Sequence, residues 1–130
     1  MMIYNYDSLW LHLYTACIHQ LEMGLYRNLD LLEAFKRTTD GPDCPISHCF
    51  RPFEFVEIVD KHGFSGEFKG SSISVLELSL LPKRFDAIKN RQLKAEHRNF
   101  LSAISFDQSG HPLVNGHVAG INGCFEFTKV

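Results

Sequence analysis

The sequence predicts an α+β domain, or a partial α/β layer, with three strands in a mixed sheet and about five helices around one core. Three observations carry this. Residues 51–69, RPFEFVEIVDKHGFSGEFK, hold a helix, a stop signal and a strand in succession. Residues 9–25 place apolar side chains at helical spacing. Short apolar runs near the two ends, residues 1–6 and 124–130, read as strands.

In the first of these, Pro52 suits the opening helical position, where a missing N–H costs nothing. Phe55, Val56, Ile58 and Val59 then recur at helical spacing. Gly63 can take the left-handed conformation that ends a helix, and Phe64 and Phe68 flank Glu67 in a strand over residues 64–69. Upstream, Asp7 or Ser8 caps a helix whose buried stripe is Trp10, Tyr14, Cys17, Ile18, Leu21 and Leu25. Asp30 and Glu33 resemble a capping box for a short helix through Arg37. Residues 38–50, TTDGPDCPISHCF, carry turn chemistry and read as a loop. Ser74 and Glu77 form a capping box before Leu76, Leu80 and Leu81, and Pro82 ends or kinks that helix. Residues 94–104 read as a further helix, Asn115-Gly116 and Asn122-Gly123 as turns, and residues 117–121 as a loop.

At 130 residues this is a single domain, long enough to bury roughly two thirds of its unfolded surface. A hydrophobic content of 45%, with 11 Phe and only 22% charged residues, excludes disorder and requires a real core. The formal charge of -2 argues against a nucleic-acid binder. The basic residues of 83–98 lack the repeated aromatics of a base-stacking surface and read as a solvated helical face. The longest apolar pattern is broken by His12, His19, Gln20 and Glu22, which excludes a membrane span. No basic-then-apolar leader opens the chain, so a cytoplasmic location is expected, with Cys17, Cys44, Cys49 and Cys124 as thiols.

The ordered set Tyr4-Asn5-Tyr6-Asp7-Ser8-Leu9-Trp10, Thr39-Asp40-Gly41, Cys44-Pro45-Ile46-Ser47, Arg51-Pro52-Phe53-Glu54-Phe55 and Gly63-Phe64 resembles the C-terminal part of class I S-adenosylmethionine-dependent methyltransferases. More narrowly, it resembles a bacterial group with a long C-terminal insertion, whose tail is similar to Leu81-Pro82-Lys83-Arg84-Phe85, Glu96-His97-Arg98, Phe106-Asp107, Gly110 and Ala119-Gly120-Ile121. The resemblance implies that residues 1–6 are the fifth strand of a Rossmann-like, seven-stranded sheet and residues 64–69 the sixth. Residues 123–130 would be the seventh, antiparallel between the other two. It also implies S-adenosylmethionine as cofactor and an unidentified methyl acceptor. The family holds its cofactor with a glycine-rich turn after the first strand, and no such run follows a strand here. The chain therefore reads as the substrate-side portion, expected not to bind cofactor alone. The alternative is a non-enzymatic binding or dimerisation module, with residues 1–6 pairing on the edge of a partner chain or a second copy.

Ligands of open α/β sheets sit beyond the carboxyl ends of parallel strands. That rule nominates Tyr4, Asn5, Tyr6 and Asp7: the two polar residues to orient a substrate or accept a proton, the tyrosines to wall it. The competing reading makes Asp7 a cap and the tyrosines core. Trp10 lies on the helix leaving that edge, where packing competes with substrate contact. His12, Thr15 and His19 share the polar helix face in an α-helix. His12 and His19 lie about 10.5 Å apart along the axis, too far for one metal. His12, one turn from the strand, is the candidate general base, against the plainer reading of a surface histidine. The resemblance places residues 38–50 over the substrate, which adds Asp40, His48 and Arg51. Cys44, His48 and Cys49 lack the paired spacing of a structural zinc site, so no metal is expected.

Overall fold

The computed structural model describes residues 1–41, 43 and 47–130. Its strands are β1 (Met2–Asn5), β2 (Cys49–Phe50), β3 (Phe64–Ser72), β4 (Ser105–Phe106), β5 (Pro112–Val114), β6 (His117–Val118) and β7 (Asn122–Lys129). A π-helix spans Trp10–Glu22, and the α-helices are α1 (Leu31–Thr38), α2 (Pro52–Asp60), α3 (Val75–Leu80), α4 (Arg84–Lys89) and α5 (Ala95–Ser102). The fold is α+β. A mixed sheet runs in the order β2-β1-β7-β3, with a small second sheet in the order β4-β5-β6.

The main sheet has four strands where the sequence predicts three. The extra one is β2, parallel to β1 through Tyr4 opposite Cys49 and Asn5 opposite Phe50. Two residues carry no alternation, so periodicity cannot find such a strand, and the segment reads as loop. On its other side β1 pairs antiparallel with β7, which also runs antiparallel to β3. Residues 1–6 therefore supply an interior strand rather than a free edge. Among the described residues, no strand pairs with the outer side of Met2 and Ile3.

Local signals place several elements as expected. Pro52 opens α2, and Gly63 has φ +86° beyond its end. Asp30 accepts from the Glu33 amide at 2.8 Å. Ser8, not Asp7, caps the first helix, its Oγ accepting from the Leu11 amide at 3.2 Å. Asn115 and Gly116, at φ +52° and +80°, make the two-residue turn between β5 and β6.

Other expectations fail. Asn122 and Gly123 do not form a turn; they open β7. Gly123 is needed for close packing, since a Cβ there would stand 3.1 Å from the Phe125 ring and 3.2 Å from the Ile3 carbonyl oxygen. Residues 117–121 are not all loop, because His117 and Val118 form β6. Strand β3 runs on to Ser72 through a bulge between Phe68 and Gly70. Gly70, at φ +127°, supplies the conformation the bulge requires.

The π-helix produces the largest departure. Its amides bond to carbonyls five residues back, so each turn holds more residues than in an α-helix and the buried face rotates away from a 3.6-residue stripe. Leu11, His12, Leu13, Thr15, Ala16, Cys17 and Ile18 are buried, while Trp10 and Tyr14 are half-buried and Leu25 is 40% exposed. One side packs with Ala87, Leu93, Leu101 and Ala119, and the other with Phe35, Cys49 and Ile121. With both sides covered, His12 and Thr15 lie in the core, not on a solvent face.

Candidate functional site

The carboxyl end of β1 opens on a cleft of about 550 Å³. Asn5 and Asp7 form its floor, Phe53 and Val56 of α2 one wall, Gly66 and Phe68 of β3 another, and the β5–β6 hairpin a third. Asn5 is 3% exposed and its amide is fully engaged. Nδ2 donates to the carbonyls of Asp7 and Gly120, each at 3.0 Å, and Oδ1 accepts from the Asp7 amide at 3.0 Å. It fixes the turn after β1 and so aims Asp7. Burial raises the Asp7 carboxyl above its ordinary pKa, and the nearby Arg51 charge opposes that rise. The shift makes Asp7 a stronger proton acceptor than an exposed aspartate.

The nominated residues fall into separate places. Tyr4, Asp40 and His48 line a shallow hollow of about 300 Å³, where the Tyr4 hydroxyl donates to Asp40 at 2.7 Å. Asp40 also accepts from the Ser47 hydroxyl at 3.3 Å, and His48 is exposed. Tyr6 packs on the same core cluster as Tyr4 but reaches other partners. Its hydroxyl donates to Glu96, and its ring carries the Arg51 guanidinium 4.0 Å from the centroid. Arg51 in turn pairs with Glu54 at 3.3 Å and Glu96 at 3.2 Å. Burial and the Glu96 contact both push the Tyr6 phenol up, so it stays protonated. The Trp10 indole donates to Thr38 at 3.1 Å and its ring meets Tyr14 at 4.8 Å, which makes it a packing residue.

His12 lies behind Tyr6, edge-on to its ring at 5.4 Å and stacked on Phe100 at 3.9 Å. Its Nδ1 is 2.8 Å from Nδ1 of His97, and among the described residues no side chain or carbonyl meets the hydrogen-bond geometry at Nε2. One ring donates and the other accepts, so the accepting ring is neutral. Burial and the neighbouring His97 hold His12 well below its ordinary pKa, and burial lowers His97. The two residues are 85 apart in sequence, a pairing no local pattern announces. His97 and Glu96 border a polar hollow of about 440 Å³ that also includes Gln20, Arg27 and Lys94.

The pair has a consequence for pH. An unfolded histidine takes a proton near 6.5 while the folded one resists it, so the contribution is complete above that pH and is lost as pH falls. Each tenfold reduction in proton affinity is worth about 1.4 kcal/mol. Glu77 and Asp7, raised by burial, act in the opposite sense, gaining relative stability on acidification. We expect urea midpoints of the wild type to drop between pH 7.5 and 5.5, with a clearly smaller drop for His12→Leu. Parallel pH profiles would refute the buried neutral pair.

Glu77 was legible only as half of a capping box. It is 1% exposed, and its carboxylate accepts from the Ser74 amide and hydroxyl at 2.8 and 2.9 Å. It also accepts from the amides of Trp10 at 3.0 Å and Ile121 at 3.4 Å. One side chain thus ties α3, the start of the π-helix and the segment before β7. Cys17, Cys49 and Cys124 are free, and burial pushes the Cys49 thiol up to about 12. Cys44, Pro45 and Ile46 lie outside the described residues. Among the described residues no group of three or more His, Cys, Asp or Glu is placed to hold a metal, and no helix is long and apolar enough to cross a membrane.

The nine glycines are spread along the chain, and five of them have open space where a Cβ would stand. Those packed most closely face the protein itself: a Cβ at Gly66 would meet the Phe127 ring, and one at Gly120 the Ser72 backbone. In comparisons with known proteins, the chain matches no family model, no curated protein and no solved structure.

Proposed function

We propose that the chain is the substrate-side portion of an S-adenosylmethionine-dependent methyltransferase, with the cofactor-binding half supplied outside these residues. The observation that carries this reading is the strand arrangement: β7 lies between β1 and β3, antiparallel to both, as the sequence resemblance implies. The cleft beyond β1 supports it, because it stands where open α/β sheets receive ligands. In this role Asn5 holds the turn, Asp7 orients or deprotonates the acceptor, and Phe53 and Phe68 exclude water from it. Methyl transfer depends on in-line positioning, which a rigid cleft supplies.

Calorimetry tests the division of labour. The isolated chain is expected to give no S-adenosylmethionine binding in the micromolar range, and a glycine-rich βαβ half encoded alongside it to restore binding when the two are combined. Micromolar binding by the chain alone, or a combined protein that still binds no cofactor, would sink the proposal. A second reading, a non-enzymatic binding or dimerisation module, is favoured by the short β2, since among the described residues no strand covers the outer side of Met2 and Ile3. Micromolar self-association that a Met2→Lys change abolishes would support it.

A further inference from the structure

We propose that the cleft beyond β1 takes a cationic amphiphile, an amine carried on a flat apolar body. The walls are apolar: Phe53, Val56 and Phe68 face Val114 and Val118 across it. Its ionisable lining is one-sided. Asp7, Glu57 and Glu67 border the cleft, with no lysine or arginine among the lining residues. His117 is the sole lining base, and its ring sits edge-on to Phe68 at 4.6 Å. Two cations of the flanking elements are already committed. Arg51 is divided between Glu54, Glu96 and the Tyr6 ring, and Lys69 between Glu67 and Glu126.

A carboxylate ligand would enter this cleft against Asp7 and Glu57 with no free cation to meet it. An ammonium would find Asp7 and two phenyl rings lining the cleft, a combination that favours cations over neutral groups. Phe53 is 61% exposed at the mouth and gains cover from the ligand's body. As the identity of a methyl acceptor this rests on the reading above; as a binding preference it is tested apart from it.

The test is a titration of the full chain, followed by amide NMR shifts, with 2-phenylethylamine, 2-phenylethanol and 3-phenylpropionate at pH 7. The amine is expected to move the amides of Val56, Gly66, Phe68 and Val118 and to bind at least tenfold more tightly than the anion. Asp7→Asn should bring the amine down to the affinity of the alcohol. Should that variant unfold, Glu57→Gln on the exposed face of α2 should still weaken the amine and leave the alcohol unchanged. Equal binding of the anion, or shifts confined to the hollow around Gln20 and His97, would overturn the proposal. An amine that binds here yet is never methylated by the combined halves would remove only its role as acceptor.

Discussion

Glu77→Ala is expected to destabilise the domain by about 4 kcal/mol, measured as a loss of urea midpoint at unchanged slope. The alanine leaves the amides of Ser74, Trp10 and Ile121 without their acceptor, and those of Trp10 and Ile121 come from segments far from α3 in sequence. A buried donor stripped of its partner costs about 1–3 kcal/mol. Glu77→Gln keeps the shape but turns one acceptor oxygen into an NH2 facing N–H donors, so it should lose about half as much. A change below about 1 kcal/mol for the alanine variant would show that the three segments are held by packing alone.

Gly120→Ala is expected to cost about 3 kcal/mol or to prevent folding, since overpacking a filled interior at backbone alone costs up to that amount. A Cβ at this position would lie 2.1 Å from the Ser72 carbonyl oxygen and 2.7 Å from the Ile73 Cα. Neither neighbour is a flexible side-chain tip, so the segment before β7 would have to move off β3. The same shift would carry away the carbonyl that accepts from Asn5 Nδ2, loosening the turn that aims Asp7. Thermal denaturation reads the first effect and cleft amide shifts read the second. A variant with wild-type melting would mean that this approach is not as close as described.

The elements that could be read in the sequence are those whose signals are local. Pro52 and Gly63 bracket α2, Ser74 with Glu77 opens α3, and the Phe alternation of β3 and β7 survives burial on one face. What escaped depends on distant partners or on a changed period. Cys49 and Phe50 are a strand only because β1 is beside them. His12 was placed on a polar face by a 3.6-residue count that the π-helix does not obey. Gly123 resembled a turn glycine, but its lack of a side chain serves contact with Ile3 and Phe125. Of the nominated residues, Asn5 and Asp7 share the cleft, whereas Tyr4, Asp40 and His48 gather in a different hollow. Chain order put them near one strand end; the alternation of side chains along that strand separated them.

The brevity of β2 also decides where this molecule loosens first. Two ladder positions hold it to β1, against eight between β3 and β7. Transient opening should therefore start at that margin while the opposite flank stays zipped, so hydrogen exchange there will run ahead of global unfolding. A visiting strand that offered Met2 and Ile3 the bonds Cys49 and Phe50 do not reach could displace the short one without disturbing the hydrophobic interior.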